Sequence, residues 1–503
     1  MTGADRPDRP NIVVVCLDTV RKDVYDRYAT RLRELASIRF EGMRTLAGWS
    51  VPSHAGLLTG SIPSETGVHA HQRRFDPIDV EDTWIAPLER MGYESVCVTS
   101  NIYASPVFGF DRFFDRTVPV SPSRRLPAGM DVQRHISDRS TEGMEAYADF
   151  VRQALEHDHP LRSLANGVLL KLDDVSRKLP IEKPTDFGGR SIVRALEREV
   201  TEPDGPVLAF ANLMDAHGPH TPFRGLDDSI HGVSADFHSS SFRDSDVNVA
   251  DGLGDYAASV QRVRRLYAAT VDYLDRLVAD LVTALETGDD RESILIVTAD
   301  HGENLGYESD GFLMNHMSSL SEGLLHVPFD VVTTGDGTLD LAVDGTGTHI
   351  GPDGQSTADD GADRPVDVNG LSSHADLGGV IQSLADEKPF DPFAFERERA
   401  RAEIVGSGSG IPEGGDEAYW DRGQRVIYRG DRKYYRDQLG TEAVYDVSGP
   451  PSKQVERPDE TVPDGLFESA FGDWVTDDEH DEGAFAEEVD AASRARLEDL
   501  GYL

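Results

Sequence analysis

The stretch SVPSHAGLLTG, from Ser50 to Gly60, is the part of the chain around which the rest is organised. Pro52 favours an extended residue before it and is well accommodated in a first helical turn. Gly60 is typical of the residue that follows a helix. The stretch therefore predicts a short helix with the Ser50 hydroxyl at its start, where unpaired backbone N–H groups attract anions. For the stretch taken alone, a capped surface helix is the preferred interpretation, and the segments that accompany it shift the balance toward a functional site.

Two apolar segments end in side chains that bind metal ions. The segment NIVVVCLDTVRKD, residues 11–23, indicates a buried parallel strand followed by Asp18, and SILIVTADHGENLG, residues 293–306, indicates another, followed by Asp300 and His301. Open α/β sheets bind ligands at the carboxyl ends of their strands, so we expect these side chains to meet. Their oxygen and nitrogen atoms predict one divalent cation; calcium, magnesium and manganese all accept these ligand types.

The apolar periodicity predicts an α/β fold with a large, doubly wound, mostly parallel sheet flanked by helices, plus a small C-terminal antiparallel α+β subdomain. We assign residues 1–388 to the first unit, with polar insertions at about 121–184 and 334–369, and residues 389–503 to the second unit and a tail. Strands are predicted at 11–18, 38–46, 94–99 and 206–213, with an edge strand at 327–333. Helices are predicted at 25–38, 83–91, 189–200, 256–286 and 372–386, and a last helix at 486–499 after an acidic linker at 450–485.

The charge of the chain is extreme and is spread over its whole length. Its 503 residues include 49 Lys and Arg against 91 Asp and Glu, a formal net charge of −42. Such self-repulsion destabilises a compact state unless salt screens it, and at molar salt the Debye length falls to about 3 Å. We therefore predict a protein of a high-salt cytoplasm whose melting temperature rises with potassium chloride; an acidic partner-binding surface is the alternative. The same charge argues against a nucleic-acid partner.

The remaining composition predicts a soluble protein without a membrane span. No apolar run approaches about 18 residues, and the N-terminus lacks the apolar core of a signal peptide. Cys16 and Cys97 lie inside apolar runs and are expected to be buried thiols, too few for a disulfide framework or a zinc site. The oligomeric state is left open by the sequence.

Two pairs of histidines lie in predicted loops. His217 and His220, in MDAHGPHTPF, lie beyond the strand at 206–213 in a loop that prolines rigidify. A histidine titrates near neutral pH, as a general acid should. His69 and His71 alternate in GVHAHQRRF; we interpret them as loop side chains, with a place near the metal as the alternative.

The order of these motifs resembles the sulfatase family of the alkaline phosphatase superfamily. The pattern is LD, then S-x-P-S-x-x-x-L-L-T-G, then TADHGE, and the resemblance extends over most of the chain. It implies that Ser50 is the nucleophile, either unmodified or oxidised to formylglycine. It also implies that Ser50 joins Asp18, Asp300 and His301 around one metal ion.

The resemblance further implies a set of residues that bind the ester. His217 matches the histidine that contacts the ester near its leaving group, and His316 lies where the family has a basic residue that binds the oxyanion or a metal. His54 stands in place of an arginine and is expected to bind the non-bridging oxygens with His316. Asn101 and His220 complete the implied substrate-binding set, while Ser50, His54, His217 and His316 form the catalytic set.

Four departures separate the chain from a conventional arylsulfatase. His54 replaces the usual arginine, Thr19 replaces a second acidic residue after Asp18, and His301 replaces an asparagine, as in phosphonate and phosphodiester hydrolases of the superfamily. The segment VTSNIYAS, residues 98–105, occupies the place of the family's G-K-W-H motif. The nitrogen ligand His301 slightly favours manganese or another transition metal over calcium.

The sequence thus predicts metal-dependent hydrolysis of a small-molecule or glycan sulfate ester, with Ser50 or its formylglycine derivative as nucleophile. The first alternative is a phosphodiester or phosphonate hydrolase, or a phosphoglycerol- or phosphoethanolamine-type transferase, with unmodified Ser50. The second is a degenerate, non-catalytic member that binds anions.

Overall fold

The computed structural model describes residues 9–137, 143–176, 179–250, 252–288, 291–316, 319–335, 339, 341, 365–386, 388–408, 411–475, 493–494 and 496–497. Most of the predicted insertion at 334–369, and most of the predicted last helix at 486–499, lie outside these residues. Val366–Ser373 form a strand of the main sheet, so the predicted insertion ends before residue 366 and the helix predicted at 372–386 begins only at Leu377.

Fifteen strands are numbered here in chain order. They are β1 (Asn11–Leu17), β2 (Ala36–Arg44), β3 (Glu94–Thr99), β4 (Arg116–Pro119), β5 (Val207–Leu213), β6 (Ser293–Thr298), β7 (Asn304–Leu305), β8 (Met314–Asn315), β9 (Phe329–Thr333), β10 (Val366–Ser373), β11 (Arg399–Ile404), β12 (Gln424–Arg429), β13 (Arg432–Asp437), β14 (Glu442–Asp446) and β15 (Val455–Glu456).

Fifteen α-helices alternate with them among the described residues. They are α1 (Lys22–Tyr28), α2 (Thr30–Leu35), α3 (Ser50–Thr59), α4 (Pro63–Thr66), α5 (Ile85–Arg90), α6 (Val132–Ser137), α7 (Gly143–Glu156), α8 (Pro160–Ser176), α9 (Gly189–Thr201), α10 (Asp228–His231), α11 (Asp244–Asn248), α12 (Ala257–Gly288), α13 (Glu322–Leu325), α14 (Leu377–Ala385) and α15 (Glu417–Trp420).

The main sheet has eight strands in the order β10-β2-β9-β6-β1-β5-β3-β4. All its neighbouring pairs are parallel except the two that β9 makes with β2 and β6. Every residue of β1, β5 and β6 is buried, as expected of strands covered by helices on both faces. The predicted α/β fold with a mostly parallel sheet is confirmed.

The predicted edge strand at 327–333 is instead an interior strand. β9 pairs with β6 on one side and β2 on the other. Proline is tolerated at the start of a strand as well as at an edge, and Pro328 precedes the first paired residue, Phe329. The proline therefore marks the beginning of this strand and carries no information about its place in the sheet.

The helix predicted at 25–38 is also wrong as a single element. The chain forms α1 and α2 with Ala29 between them at φ −90° and ψ 52°, outside the helical region, and β2 already begins at Ala36. By contrast, the predicted helix at Ser50 is confirmed. It ends at Gly60, whose φ of 74° is left-handed and where a Cβ would lie 2.6 Å from the carbonyl oxygen of Ala375.

A second sheet of five antiparallel strands, β11-β12-β13-β14-β15, forms the C-terminal part, as predicted. Residues 450–475 are not a plain linker, however. They contribute β15, and Leu466, Phe467 and Phe471 are buried against Leu46 and Ile427. The apolar side chains of this acidic segment therefore pack it against the rest of the folded chain.

Two composition-based expectations have direct structural counterparts. Cys16 and Cys97 are buried free thiols, as predicted. Among the described residues, no helix is both long and apolar enough to cross a membrane.

Candidate active site

Five parallel strands deliver polar side chains to one edge of the main sheet. Asp18 follows β1, and Asp300 follows β6. Ser50 is the first residue of α3 after β2, Asn101 follows β3, and His217 follows β5. Because β9 is antiparallel to both its neighbours, β2 runs in the same direction as β6, so all five side chains come from carboxyl ends.

The predicted metal ligands come together. Ligand atoms of Asp18, Asp300 and His301 all lie within 4.8 Å of one another, and the three residues have no exposed surface. The Oδ1 atom of Asp18 and the Oδ2 atom of Asp300 are buried and have no hydrogen-bond partner among the described residues. Buried carboxylate oxygens are normally hydrogen-bonded or bound to a cation, so this donor set fits a divalent metal ion.

The opposite oxygen of each carboxylate is held by the protein. Asn101 Nδ2 donates to Asp18 Oδ2 at 2.8 Å, and Asn212 Nδ2 lies 3.4 Å from the same oxygen. Asp300 Oδ1 accepts the backbone N–H groups of His301 at 2.9 Å and Thr19 at 3.3 Å. These contacts fix both carboxylates with one oxygen turned toward the shared space, as supporting hydrogen bonds do around metal ligands.

Thr19 reaches Asp300 from a strained backbone conformation. Its φ is 63°, a left-handed value that costs a β-branched residue on the order of 1–3 kcal/mol. The Thr19 hydroxyl donates to the carbonyl oxygen of Asp18 at 2.7 Å. Such a conformation persists only where the surrounding structure enforces it. Here it occurs directly beside Asp300, a candidate metal ligand.

Ser50 lies against the same cluster. Nδ1 of His301 donates to the carbonyl oxygen of Gly302 at 2.8 Å, which leaves Nε2 as the acceptor of the neutral ring. That Nε2 atom lies 3.2 Å from Ser50 Oγ. The structure therefore brings the predicted nucleophile and the predicted nitrogen ligand into contact.

Burial sets the protonation of these groups. It raises the pKa of Asp18 to about 6, with a further contribution from the charge of Asp300. Burial likewise raises the pKa of Asp300 to about 7 and lowers the pKa of His301 to about 3. Two carboxylates that resist ionisation beside a neutral imidazole lack a positive charge, which a bound cation would supply.

His54 has both ring nitrogens occupied by the protein. Nδ1 donates to the carbonyl oxygen of Ser50 at 2.7 Å, and Nε2 accepts from Asn212 Nδ2 at 3.0 Å. Burial lowers the pKa of this fully enclosed ring. His54 also lies near Cys16 and Asp300, a second group of possible ligands, but its two hydrogen bonds already use both nitrogens.

Three further buried histidines, His217, His220 and His316, lie on the loops beside the cluster. The ring of His316 lies 4.6 Å from that of His301 and 5.0 Å from that of His217. His316 Nδ1 donates to both carboxylate oxygens of Glu303 at 3.2 Å. His217 Nδ1 donates to the carbonyl oxygen of Gly218 at 2.6 Å, which directs Nε2 away from the backbone.

His220 lies farther along the same loop. Its ring packs edge-on against Tyr267 at 5.9 Å, and burial lowers its pKa to about 3. Burial together with the neighbouring His316 lowers the pKa of His217. The two histidines of this loop are therefore neutral rings in the absence of an anion.

Asn212 and Glu303 were not singled out from the sequence, and the backbone conformation of Thr19 was not predicted. Asn212 is enclosed in the apolar run of β5, Glu303 was read only as part of TADHGE, and Thr19 carried no signal of its backbone conformation. The other histidines lie elsewhere. His69 forms a bridge with Gln72, and His326 accepts the backbone N–H of Ser452 through Nδ1.

These features define an α/β protein with a serine hydroxyl beside a group of two carboxylates and one imidazole that could hold a metal ion, at the carboxyl edge of its sheet. The model of the Sulfatase family matches residues 10–338. The chain belongs to the sulfatase family, which confirms the predicted family and agrees with the predicted class of a sulfatase-like hydrolase.

Individual relatives are distant. The choline-sulfatase of Rhizobium meliloti (strain 1021) is 25% identical over 353 residues, which span 65% of this chain and 63% of that protein. Among solved structures, the phosphonate monoester hydrolase of Agrobacterium radiobacter superposes with a TM-score of 0.55 at 15% identity, covering 88% of this chain and 90% of the other. A protein solved with its substrate D-glucosamine-2-N,6-O-disulfate gives 0.53 at 13% identity, covering 87% and 91%.

Proposed function

We propose that the protein hydrolyses sulfate esters with Ser50, or the formylglycine derived from it, as nucleophile and with one divalent cation. The observation that carries this proposal is the pair of buried, unpartnered oxygens on Asp18 and Asp300 next to the Ser50 hydroxyl. Membership of the sulfatase family and the similarity to a choline-sulfatase favour a sulfuric ester over other esters.

The cation would be held by Asp18, Asp300, His301 and Ser50, and its identity is open among calcium, magnesium and manganese. When bound, it would supply Lewis-acid stabilisation of developing negative charge and would lower the pKa of the nucleophile.

The chain's own groups act around that centre. Ser50 Oγ begins helix α3, where the first backbone N–H groups are free of helical partners and favour the anionic ester. Asn101 holds Asp18, and Thr19 holds Asp300, so that neither carboxylate turns away from the nucleophile. This fixed arrangement lets Ser50 attack in line without reorganisation of the site.

His217 is proposed as the general acid. Its Nδ1 atom is held by Gly218, so Nε2 is the atom that carries the proton to the departing alkoxide. An anionic ester beside the ring raises its pKa from the low value that burial imposes, because a negative charge favours the imidazolium. The proton therefore becomes available when substrate is present.

His54 and His316 receive different parts. Both nitrogens of His54 are used inside the protein, so we assign it the positioning of the Ser50 backbone and Asn212 in place of contact with the ester. His316, whose Nδ1 donates to Glu303 and whose ring lies beside His301 and His217, is proposed to bind the non-bridging oxygens. Asn101 likewise acts through Asp18, and His220 is proposed to contact the leaving group beyond His217.

Phosphonate and phosphodiester hydrolysis by unmodified Ser50 is the second candidate. The feature that favours it is chemical: His301 and His54 stand where sulfatases usually have asparagine and arginine. Transfer of a phosphoglycerol or phosphoethanolamine group to an alcohol would use the same serine. In a non-catalytic role, the same site would bind an anion without hydrolysing an ester.

One panel assay separates these candidates. Purified protein in molar potassium chloride is given an aryl sulfate, choline sulfate, a phosphodiester and a phosphonate monoester, each with calcium, magnesium or manganese. We expect turnover of sulfate esters that the Ser50→Ala variant lacks. Turnover of phosphorus esters alone would establish the second candidate, and no metal-dependent turnover of any ester would overturn the enzymatic proposal.

The state of Ser50 is read from the tryptic peptide of residues 45–73. Formylglycine lowers its mass by two hydrogens relative to serine. An unmodified peptide from active protein would assign the reaction to the serine itself.

We also propose that the protein works in a high-salt cytoplasm. The formal net charge of −42 supports this, because only concentrated salt screens repulsion of that size. The melting temperature should rise steadily from 0.1 M to about 3 M potassium chloride, and a flat or falling profile would contradict the proposal.

A further inference from the structure

Exposed apolar side chains are concentrated on one helical hairpin. Of the 16 large apolar side chains that the described residues expose, nine lie between residues 147 and 181, inside the predicted polar insertion. Seven of them are on α7 and α8, and the most exposed is Leu161 at 81%. The seven are Tyr147, Val151, Leu155, Leu161, Val168, Leu172 and Val175.

The seven side chains form two adjacent rows, one on each helix, and the two rows together are called here the outer stripe. On α7 they recur every four residues, and on α8 they recur at intervals of seven, four and three, so each set follows one face of its helix. Lys171 Nζ of α8 lies 5.5 Å from the ring centroid of Tyr147 on α7, which sets the two rows side by side.

The hairpin has a separate inner core, so the outer stripe is not needed to hold it together. Phe150 and Ala154 of α7 are buried with Val132 of α6. A Cβ at Gly167 of α8 would lie 2.7 Å from the Phe150 ring, which shows how closely the two helices approach. On the outer side, exposed apolar surface of this extent is typical of an interaction surface.

The hairpin also differs from the rest of the chain in charge. Residues 121–184 contain ten Lys and Arg and ten Asp and Glu, so their formal charges cancel. The other residues therefore carry the entire formal net charge of −42. A second copy of this acidic protein is repelled by most of the surface but not by this segment.

The area is sufficient for a small specific interface. α8 has 17 residues and is therefore about 26 Å long, and two packed helices about 9 Å apart present a face about 20 Å wide. Two such faces together would bury about 1,000 Å², near the lower limit for a specific protein interface.

We propose that the outer stripe is the contact through which two copies of this chain form a symmetric dimer. In a twofold arrangement the same patch meets itself, which suits a surface that is apolar and neutral. A membrane surface is the less suitable occupant, because helices that bind anionic lipids carry an excess of Lys and Arg beside the apolar face. On α7 the exposed positions include Glu145 and Glu156 as well as Arg152.

The test is the mass of the full-length protein in solution. Sedimentation equilibrium or light scattering in molar potassium chloride should give twice the chain mass of 55.1 kDa for the wild type. The double variant Val168→Glu/Leu172→Glu should dissociate at least 100-fold more readily. The matched control Leu439→Glu/Val455→Glu, which places the same charges at exposed apolar sites of the C-terminal sheet, should remain dimeric.

A second measurement covers the case in which the glutamate variant folds poorly. Cys16 and Cys97 are buried, so a Val168→Cys variant has one reactive thiol. A short bis-maleimide should link two copies of Val168→Cys but not of Leu439→Cys. A monomeric wild type, a dimer that survives both glutamates, failure of the Val168→Cys link, or flotation of the wild type with anionic vesicles that the glutamates abolish would each overturn the proposal.

Discussion

Two clusters of buried carboxylates in this molecule differ in what opposes their charge. Glu322 of α13 pairs with Arg44 at 3.0 Å and with Lys433 of the C-terminal sheet at 3.1 Å, and it accepts the Tyr428 hydroxyl. Asp18 and Asp300 are equally buried, yet among the described residues neither makes an ion pair with Lys or Arg.

The pKa values of the two clusters diverge accordingly. Burial acts on Glu322 in the upward direction, but the charges of Arg44 and Lys433 outweigh it and lower the pKa of Glu322 to about 2. For Asp18 and Asp300 burial dominates and raises the pKa values to about 6 and about 7. The comparison distinguishes a carboxylate whose charge the chain itself neutralises from a pair that we propose to be neutralised by an external cation.

The largest expected effect is on catalysis beside Asp18 and Asp300, the carboxylates that no Lys or Arg of the described residues opposes. Ser50→Ala should lower kcat/KM by roughly 10³-fold or more, because it removes the proposed nucleophile while leaving the carboxylates in place. Ser53→Ala is the matched control on the same helix; its hydroxyl donates to the carbonyl oxygen of Ala47 at 2.9 Å. Steady-state assays should show near-normal activity for the control. Equal activity of Ser50→Ala and Ser53→Ala would remove Ser50 from the mechanism.

The next effect is on stability, and it should have opposite signs at the two clusters. Glu322→Gln leaves Arg44 and Lys433 buried without their counter-charge and should lower the free energy of unfolding by about 3–5 kcal/mol. Asp300→Asn removes an unpaired buried charge and should leave metal-depleted protein as stable or more stable. Chemical denaturation in high salt measures both. A comparable loss in both variants would mean that the clusters do not differ in the way described.

The two clusters should also respond to pH in opposite directions. The raised pKa of Asp300 means that the folded, metal-depleted protein binds a proton more tightly than the unfolded chain, so this residue's contribution to stability falls as pH rises from about 4 to about 7. The lowered pKa of Glu322 gives a contribution that is present above about pH 4.5 and is lost as pH falls toward 2.

Differences between wild type and each variant isolate these contributions. The melting-temperature difference between wild type and Asp300→Asn should change mainly between pH 4 and 7, and that between wild type and Glu322→Gln mainly below pH 4.5. Parallel pH profiles for the two differences would contradict the assigned protonation states.

The smallest expected effect comes from a residue that only positions a ligand. Asn101→Ala removes the 2.8 Å hydrogen bond to Asp18 Oδ2 and should weaken metal affinity by about 10- to 100-fold. kcat at saturating metal should change less than the metal concentration needed for half-maximal activity. A large fall in kcat with unchanged metal dependence would instead indicate that Asn101 contacts the ester.

The cluster of Asp18 and Asp300 was largely predictable from the sequence, whereas the pairing of Glu322 with Arg44 and Lys433 was not. Asp18 and Asp300 each follow an apolar strand, and the carboxyl ends of parallel strands meet at one edge. Glu322 and Lys433 lie 111 residues apart in elements whose docking no local pattern encodes. Asn212 escaped notice because a polar residue inside an apolar strand has no periodic signal.

The outer stripe is a second feature that could not be predicted from the sequence. Composition marked residues 121–184 as polar, but the helices sort their residues by face and leave leucines and valines outside. Whether a helix buries its apolar side depends on what lies opposite, which periodicity alone does not contain.

The most direct test of the account is metal binding by metal-depleted protein in molar potassium chloride. Equilibrium dialysis with elemental analysis should give one tightly bound divalent cation per chain for the wild type and for Glu322→Gln. It should give none for Asp300→Asn. A wild type that binds no cation, or an Asp300→Asn variant that binds one as tightly as the wild type, would contradict the claim that Asp18, Asp300, His301 and Ser50 form a metal site.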